Sequence, residues 1–112
     1  MKKALVTGGA GFIGTNLIQR LILEGFQVFS LDNYSTGSKD NELGSVTYVK
    51  GDIESIDQFN TQNFDYCFHL AAQSRVQPSF EDPEESLRIN VQGTLKVMEW
   101  SKKNKVKVLY AG

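Results

Sequence analysis

Three glycines at three-residue spacing, Gly8, Gly11 and Gly14, could together bind an anion. They follow the apolar run 4–6 and precede an amphipathic segment, so they fall between a predicted strand and a predicted helix. Gly8 can adopt the backbone angles of a tight turn, Gly11 lets the chain approach a diphosphate without a Cβ in the way, and Gly14 allows close packing of the helix. Free amides and the dipole at the helix start favour negative charge. This context predicts a site for a dinucleotide diphosphate, and the absence of a following Gly-Lys-Ser/Thr excludes a P-loop.

An acidic residue follows the second predicted strand. Asp32 lies 18 residues after Gly14, where a carboxylate can accept hydrogen bonds from the ribose hydroxyls of a dinucleotide. A 2′-phosphate would repel it by roughly 4 kcal/mol at an effective dielectric near 20, or by about 1–3 kcal/mol with solvent exposure. The sequence therefore predicts NAD rather than NADP, with Lys39 the only nearby cation that could reverse the preference. The alternative is an aspartate in a surface turn.

Short apolar runs alternate with longer helical patterns, as is typical of βαβ units. The predicted strands are 4–6, 28–31, 46–49, 66–72 and 107–110, and the predicted helices are 12–24, 53–59 and 83–104. Asp82 as N-cap and Pro83 at the first helical position mark the start of the last helix. Right-handed crossovers between these strands predict an α/β fold with a doubly wound parallel sheet, the Rossmann fold, in the order 3-2-1-4-5. A chain of this size builds one core, so we expect one domain over residues 1–112.

The last helix carries an apolar stripe. Leu87, Val91, Leu95 and Met98 recur at steps of four, four and three residues. Residues at these steps share one helix face. We expect that face to pack in the core rather than to form a site.

Two further residues lie in or beside the apolar run 66–72. Cys67 is expected to be a small buried side chain rather than a reactive thiol. His69 has no nucleophile or carboxylate motif beside it, so packing at the strand end is favoured over a role as a catalytic base.

Composition and charge exclude several classes of protein. The sequence has 12 Lys and Arg and 13 Asp and Glu, which gives a formal net charge of −1. It contains no basic stripe that would indicate a nucleic-acid partner. The opening residues lack the apolar core of a signal peptide, and no run approaches the ~20 apolar residues of a membrane span. A cytoplasmic protein without membrane contact is expected. The acidic residues around Asp82 are explained by the helix start, so no metal site is predicted.

Five motifs occur in order along the whole chain: TGGAGFIG at 7–14, DNYSTG at 32–37, GDI at 51–53, HLAAQ at 69–73 and NVQGT at 90–94. In this combination the sequence resembles the extended short-chain dehydrogenase/reductase family, which contains the NAD-dependent nucleotide-sugar epimerases and dehydratases. The DNYSTG motif is most similar to the form found in UDP-sugar 4-epimerases. The resemblance implies NAD as cofactor, a nucleotide sugar as substrate and a homodimer.

The resemblance also implies roles for individual residues. The amides of Phe12 and Ile13 would meet the diphosphate, and Asn90 would brace the active-site region. Ser74 and Arg75 would approach the substrate, Arg75 as a fork donor to its diphosphate. The glycine spacing and the resemblance together give these NAD-binding residues, with Asp52 and Ile53 at the adenine: Gly8, Gly11, Phe12, Ile13, Gly14, Asp32, Asn33, Ser35, Thr36, Gly37, Asp52, Ile53, Leu70, Ala71, Ala72, Gln73 and Asn90.

The catalytic pair of the resembled family is missing. That family uses a tyrosine and a lysine at YxxxK spacing, in which the tyrosinate takes the sugar hydroxyl proton as hydride passes to NAD. None of the four tyrosines, Tyr34, Tyr48, Tyr66 and Tyr110, is followed by a lysine four positions on. We therefore expect the amino-terminal part of a longer enzyme, truncated after strand five, lacking the substrate domain and without a catalytic residue of its own.

The best-supported function is the NAD-binding portion of a nucleotide-sugar 4-epimerase, which oxidises C4 transiently and then returns the hydride. A 4,6-dehydratase and a uronate decarboxylase share the same first half and stay as alternatives. A non-catalytic NAD-binding sensor is an alternative of another class. A methyltransferase is weakened by the diphosphate-sized glycine segment.

Overall fold

The computed structural model describes residues 1–34, 37–70 and 83–110, with the backbone alone over 83–90. Five strands and two α-helices alternate along these residues. Short 3₁₀ helices lie at Lys39–Asn41 and Ile53–Phe59. The strands and α-helices are β1 Lys3–Thr7, α1 Phe12–Leu23, β2 Gln27–Asp32, β3 Thr47–Lys50, β4 Tyr66–His69, α2 Pro83–Asn104 and β5 Lys107–Tyr110.

The strands form one parallel sheet in the order β3-β2-β1-β4-β5, which confirms the predicted topology. Strand β1 lies at its centre, where Ala4, Leu5 and Val6 are fully buried. A continuous apolar run is what a parallel strand covered on both faces requires. The predicted strand 66–72 ends at His69 among the described residues, and its residues 71–72 lie outside them.

The sheet separates two hydrophobic clusters. One contains Val6, Ile18 and Val28 and packs beneath α1. The other, around Phe64 and Trp100, packs beneath α2 and the 3₁₀ helix 53–59. Helices thus cover both faces of the sheet. Because all its strands are parallel, their carboxyl ends lie along one edge.

The apolar stripe predicted for the core lies instead on the surface of α2. Val91, Leu95 and Met98 are about half exposed, whereas Val97 and Trp100 are buried; the side chain of Leu87 lies outside the described residues. The prediction was wrong because the helix packs through Val97 and Trp100, a different face. No described helix is both long enough and apolar enough to cross a membrane.

Candidate functional site

The candidate site lies at the carboxyl edge of the sheet. Strands β1, β2 and β4 end there at Thr7, Asp32 and His69, in direct register across β1 and β4. The strand order changes direction between β1 and β4, and in open α/β sheets this switch point is where ligands bind. Three of the sequence motifs therefore meet at this edge of the sheet.

The glycine turn, residues 8–11, connects β1 to α1. Gly8 has φ +79°, as the prediction of a tight turn requires. A Cβ added at Gly14 would lie 2.3 Å from the Gly8 carbonyl oxygen, so α1 approaches the turn closely only because Gly14 has none. A Cβ at Gly11 would meet nothing closer than 3.5 Å. The fold itself therefore requires glycine at positions 8 and 14 but not at 11, and the close approach of a ligand to Gly11 stays a prediction.

Gly9 has an equally strict role that the sequence analysis missed. A Cβ there would lie 2.2 Å from Oγ of the fully buried Ser30 on β2. The adjacent Gly8-Gly9 pair was the available signal.

The start of α1 presents unpaired donors toward this edge. Its first ladder bond runs from the Thr15 amide to the Gly11 carbonyl, at 2.9 Å. The amides of Phe12, Ile13 and Gly14 therefore have no intrahelical acceptor. The Gly11 cap adds no side-chain hydrogen bond, and the first turn carries no acidic residue. These donors and the positive end of the helix dipole can bind an anion.

Asp32 is buried, with 8 % of its surface exposed, which contradicts the alternative of an aspartate in a surface turn. Its Oδ2 accepts from the Ala10 amide at 2.9 Å, and its Oδ1 accepts from the Tyr34 amide at 2.8 Å. Each carboxylate oxygen has a second lone pair, so the side chain can still accept from a ligand. Asp32 thus ties the end of β2 to the glycine turn, and its ribose contact stays a prediction.

The segments after β2 and β3 meet beside Asp32. Asn33 Nδ2 donates to Oδ1 of the exposed Asp52 at 3.2 Å. Ile53 is partly buried and packs against the cluster beneath α2. A Cβ at Gly37 would lie 2.9 Å from the Ala10 carbonyl carbon, so Gly37 packs directly on the glycine turn. Four predicted site residues therefore lie close to this corner, and each of them also has a contact within the chain.

His69, at the end of β4, joins three elements of the fold. Its Nδ1 lies 2.7 Å from Thr7 Oγ1 on β1, and its Nε2 lies 3.4 Å from Thr94 Oγ1 on α2. The Leu70 amide donates to the Thr7 carbonyl and hydroxyl, both at 3.0 Å. His69 is 3 % exposed, and burial lowers its pKa. These contacts agree with a packing role and orient the backbone where the HLAAQ motif leaves the sheet.

Burial also accounts for the single cysteine. Cys67 is fully buried, and loss of solvent raises the pKa of its thiol to about 12. Such a thiol is protonated at neutral pH, as expected of a structural cysteine.

Several predicted site residues lie outside the part of the chain that the structure describes. Asn90 lies within α2, but its side chain is outside the described residues. Within residues 1–34, 37–70 and 83–110, no group of three His, Cys, Asp or Glu side chains could hold a metal ion. The following predicted residues also lie outside the described part: Ser35, Thr36, Ala71, Ala72, Gln73, Ser74 and Arg75.

Comparisons with known proteins match nearly the whole chain. The sequence model of the NAD dependent epimerase/dehydratase family matches residues 4–112. UDP-glucose 4-epimerase of Mycolicibacterium smegmatis is 37% identical over 108 residues, covering 87% of this chain and 34% of that protein. UDP-N-acetyl-alpha-D-glucosaminuronate decarboxylase of Bacillus cytotoxicus is 35% identical over 116 residues, covering 98% of this chain and 36% of that protein.

Solved structures agree with the sequence relatives. The UDP-glucose 4-epimerase of Thermus thermophilus, solved in complex with NAD, superposes with a TM-score of 0.80 at 34% identity. The match covers 92% of this chain and 34% of that one. The chain thus spans about a third of the length of the relatives it matches.

Proposed function

Because the chain belongs to the NAD dependent epimerase/dehydratase family, we propose that its carboxyl sheet edge binds NAD and that it forms the cofactor-binding part of a nucleotide-sugar 4-epimerase. The observation that carries the proposal is the geometry of the glycine turn. Packing within the chain demands glycine at positions 9 and 14, yet an added Cβ at Gly11 would meet only ordinary contacts. Packing within the chain does not require glycine at position 11, but close approach of a diphosphate to the backbone there would.

The donors and acceptors at this edge fit a dinucleotide. The amides of Phe12 and Ile13 would bind the diphosphate, and the Asp32 carboxylate would accept from the ribose hydroxyls. The remaining NAD contacts, proposed from the resemblance, are Gly8, Gly14, Asn33, Ser35, Thr36, Gly37, Asp52, Ile53, Leu70, Ala71, Ala72, Gln73 and Asn90.

In an epimerase, bound NAD would supply a hydride acceptor, so that C4 of the sugar could be oxidised and then reduced. The residues of this chain would bind and orient that cofactor, and Ser74 and Arg75 would approach the nucleotide sugar. The proton transfer would need a tyrosine and lysine pair that the 112 residues do not contain. We therefore propose that the chain alone binds NAD but does not convert a nucleotide sugar.

One comparison bears on the alternatives. The decarboxylase of Bacillus cytotoxicus is nearly as similar to this chain as the epimerase of Mycolicibacterium smegmatis. The uronate decarboxylase alternative therefore stands beside epimerisation, and the 4,6-dehydratase and the NAD-binding sensor remain further alternatives. Assay of the full-length protein with UDP-glucose, a UDP-uronate and a dTDP-hexose separates the three reactions by their products, and a sensor turns over none of them.

A homodimer is proposed on the exposed stripe of α2. Val91, Leu95 and Met98 lie on one face of that helix and are each about half exposed. An apolar stripe of this kind is typical of a helix that packs against another protein surface. A cytoplasmic location stays a prediction from the sequence.

Calorimetric titration of the chain with NAD and with NADP tests the cofactor proposal. We expect NAD to bind about tenfold to a hundredfold more tightly, because a 2′-phosphate would face the Asp32 carboxylate. Asp32→Asn should reduce this preference. Equal affinities for the two dinucleotides would contradict the role of Asp32, and absence of NAD binding would contradict the proposed function.

A further inference from the structure

Ala10, at the centre of the glycine turn, is held on both sides. It is fully buried, and its amide donates to Asp32. Its carbonyl oxygen accepts two hydrogen bonds, from Nδ2 of Asn41 at 2.9 Å and from the amide of Ser38 at 3.1 Å. Asn41 lies 31 residues further along the chain, so this contact joins two segments that are distant in sequence.

The segment that carries Asn41 is itself firmly supported. The Ser38 side chain accepts from the Asp40 amide, and the Asn41 amide donates to the Ser38 carbonyl at 3.0 Å, closing a 3₁₀ turn. Directly after this turn, the Leu43 amide donates to the hydroxyl of Tyr48 on β3 at 2.9 Å. Asn41 is therefore anchored to the sheet independently of the glycine turn.

The contact controls one peptide plane. The Ala10 carbonyl and the Gly11 amide belong to the same planar unit. Asn41 and Ser38 hold the oxygen of this unit, and the Gly8 carbonyl accepts from its N–H at 3.2 Å. The next amide in the chain is that of Phe12, at the start of α1.

We propose that Asn41 is a positioning residue for the diphosphate site: its side-chain amide fixes the Ala10–Gly11 peptide plane and thereby the direction in which the Phe12 and Ile13 amides point. This role rests on the proposed NAD binding. It assigns to Asn41 a task that neither the glycine spacing nor the motifs of the resemblance contain.

Two variants test the role with different side effects. Asn41→Leu removes the donor without adding charge, and Asn41→Asp keeps the shape but cannot donate. Both should weaken binding of ADP by about two- to tenfold, the range expected for one lost hydrogen bond. Adenosine, which has no diphosphate, should bind with unchanged affinity. Asn63→Asp is the matched control. Asn63 is exposed and lies just before β4, at the amino ends of the strands and so on the opposite side of the sheet from the glycine turn.

The ligand-free chain gives an independent readout. In ¹⁵N NMR spectra, both Asn41 variants should shift the amide signals of Gly11, Phe12 and Ile13, whereas Asn63→Asp should not. Unchanged turn signals together with unchanged ADP affinity would overturn the proposal. Equal weakening of ADP and adenosine with a lower melting temperature would also overturn it, since that pattern indicates only general support of the fold.

Failure of the proposed function would look different. If the unsubstituted chain bound neither NAD nor ADP, the cofactor proposal would be wrong, and the NMR comparison alone would decide whether Asn41 positions the turn.

Discussion

The carboxylate at the end of β2 accepts hydrogen bonds within the chain and has lone pairs left for a ligand. Asp32 accepts from two backbone amides, one on the glycine turn and one just after its own strand. Its position was predictable from its distance to the glycines, but these bonds were not, because their donors are main-chain groups that carry no sequence signal. The contact of Asn41 with the Ala10 carbonyl was not predictable either, because its acceptor is a main-chain group.

The glycine positions differ in whether a Cβ would fit, and alanine substitutions test this difference. Gly11→Ala places a Cβ in ordinary contact, 3.5 Å from its nearest neighbour, so the free energy of unfolding should change by less than about 1 kcal/mol. NAD binding should weaken by about tenfold or more, about 1.4 kcal/mol, because the methyl group occupies the space of the diphosphate. Urea unfolding and calorimetry measure the two effects.

Gly14→Ala is the matched comparison. Its Cβ would lie 2.3 Å from a backbone oxygen, and the resulting strain should outweigh the gain of up to about 1 kcal/mol in helix propensity. We expect a net loss of about 1–3 kcal/mol in stability. The assignment of roles would be wrong if Gly11→Ala unfolded the chain or if Gly14→Ala left its stability unchanged.

The buried histidine predicts a pH dependence of stability. Burial lowers the pKa of His69 in the folded state below its ordinary 6.5. As the pH falls through 6.5, His69 therefore binds a proton more readily in the unfolded chain than in the folded one. The free energy of unfolding should therefore be independent of His69 above about pH 7. It should fall as the pH drops through 6.5, by at most about 1.4 kcal/mol per pH unit. Urea unfolding between pH 7.5 and pH 5.5 measures it.

His69 is the only histidine, so its contribution can be isolated. The variant His69→Gln retains hydrogen-bonding groups but does not titrate, and its stability should be nearly constant over this pH range. An equal decline in both proteins would show that other groups cause the pH dependence.

At the scale of elements, the sequence predicted every described strand and both α-helices to within a few residues. Strand β1 and the turn after it were recognisable because local rules determine them: an apolar run, then glycines, then an amphipathic period. The strand order followed from the handedness of βαβ crossovers.

The orientation of α2 could not be predicted in the same way. The inward face carries Gly93, Val97, Trp100 and Asn104, which are less uniformly apolar than the exposed stripe. A Cβ at Gly93 would lie 3.9 Å from Ile53 Cγ1, an ordinary contact, and Asn104 Nδ2 donates to Asn60 Oδ1 at 3.1 Å. Because both faces carry apolar side chains at helical spacing, periodicity alone does not decide which face is buried. In the structure it is the face with Val97 and Trp100.

Alanine substitutions on the two faces of α2 should have opposite consequences. Val97→Ala removes fully buried methyl groups and should cost about 1.5–3 kcal/mol of stability. Leu95→Ala, at a position 52% exposed, should change it by less than about 0.5 kcal/mol. Urea unfolding at a concentration where both proteins are monomeric gives the comparison. A larger cost for Leu95→Ala would mean that the predicted stripe, and not the Val97 face, packs in the core.

At the scale of the whole molecule, two apolar surfaces adjoin the same end of the sheet. One is the stripe of Val91, Leu95 and Met98 on α2, and the other is the edge strand β5, where Leu109 and Tyr110 are nearly half exposed. An open strand edge and an apolar helix face both promote association.

Self-association of the chain distinguishes these surfaces. Sedimentation velocity should show a concentration-dependent shift from monomer to dimer, because burying the α2 stripe against a second copy removes its apolar side chains from water. Leu95→Lys should keep the chain monomeric, whereas Leu109→Lys on β5 should still dimerise if α2 forms the interface. The reverse pattern would identify pairing of β5 edges, and a monomer at every concentration would contradict the proposed homodimer. Leu23→Lys, at an exposed leucine at the end of α1, controls for the added charge.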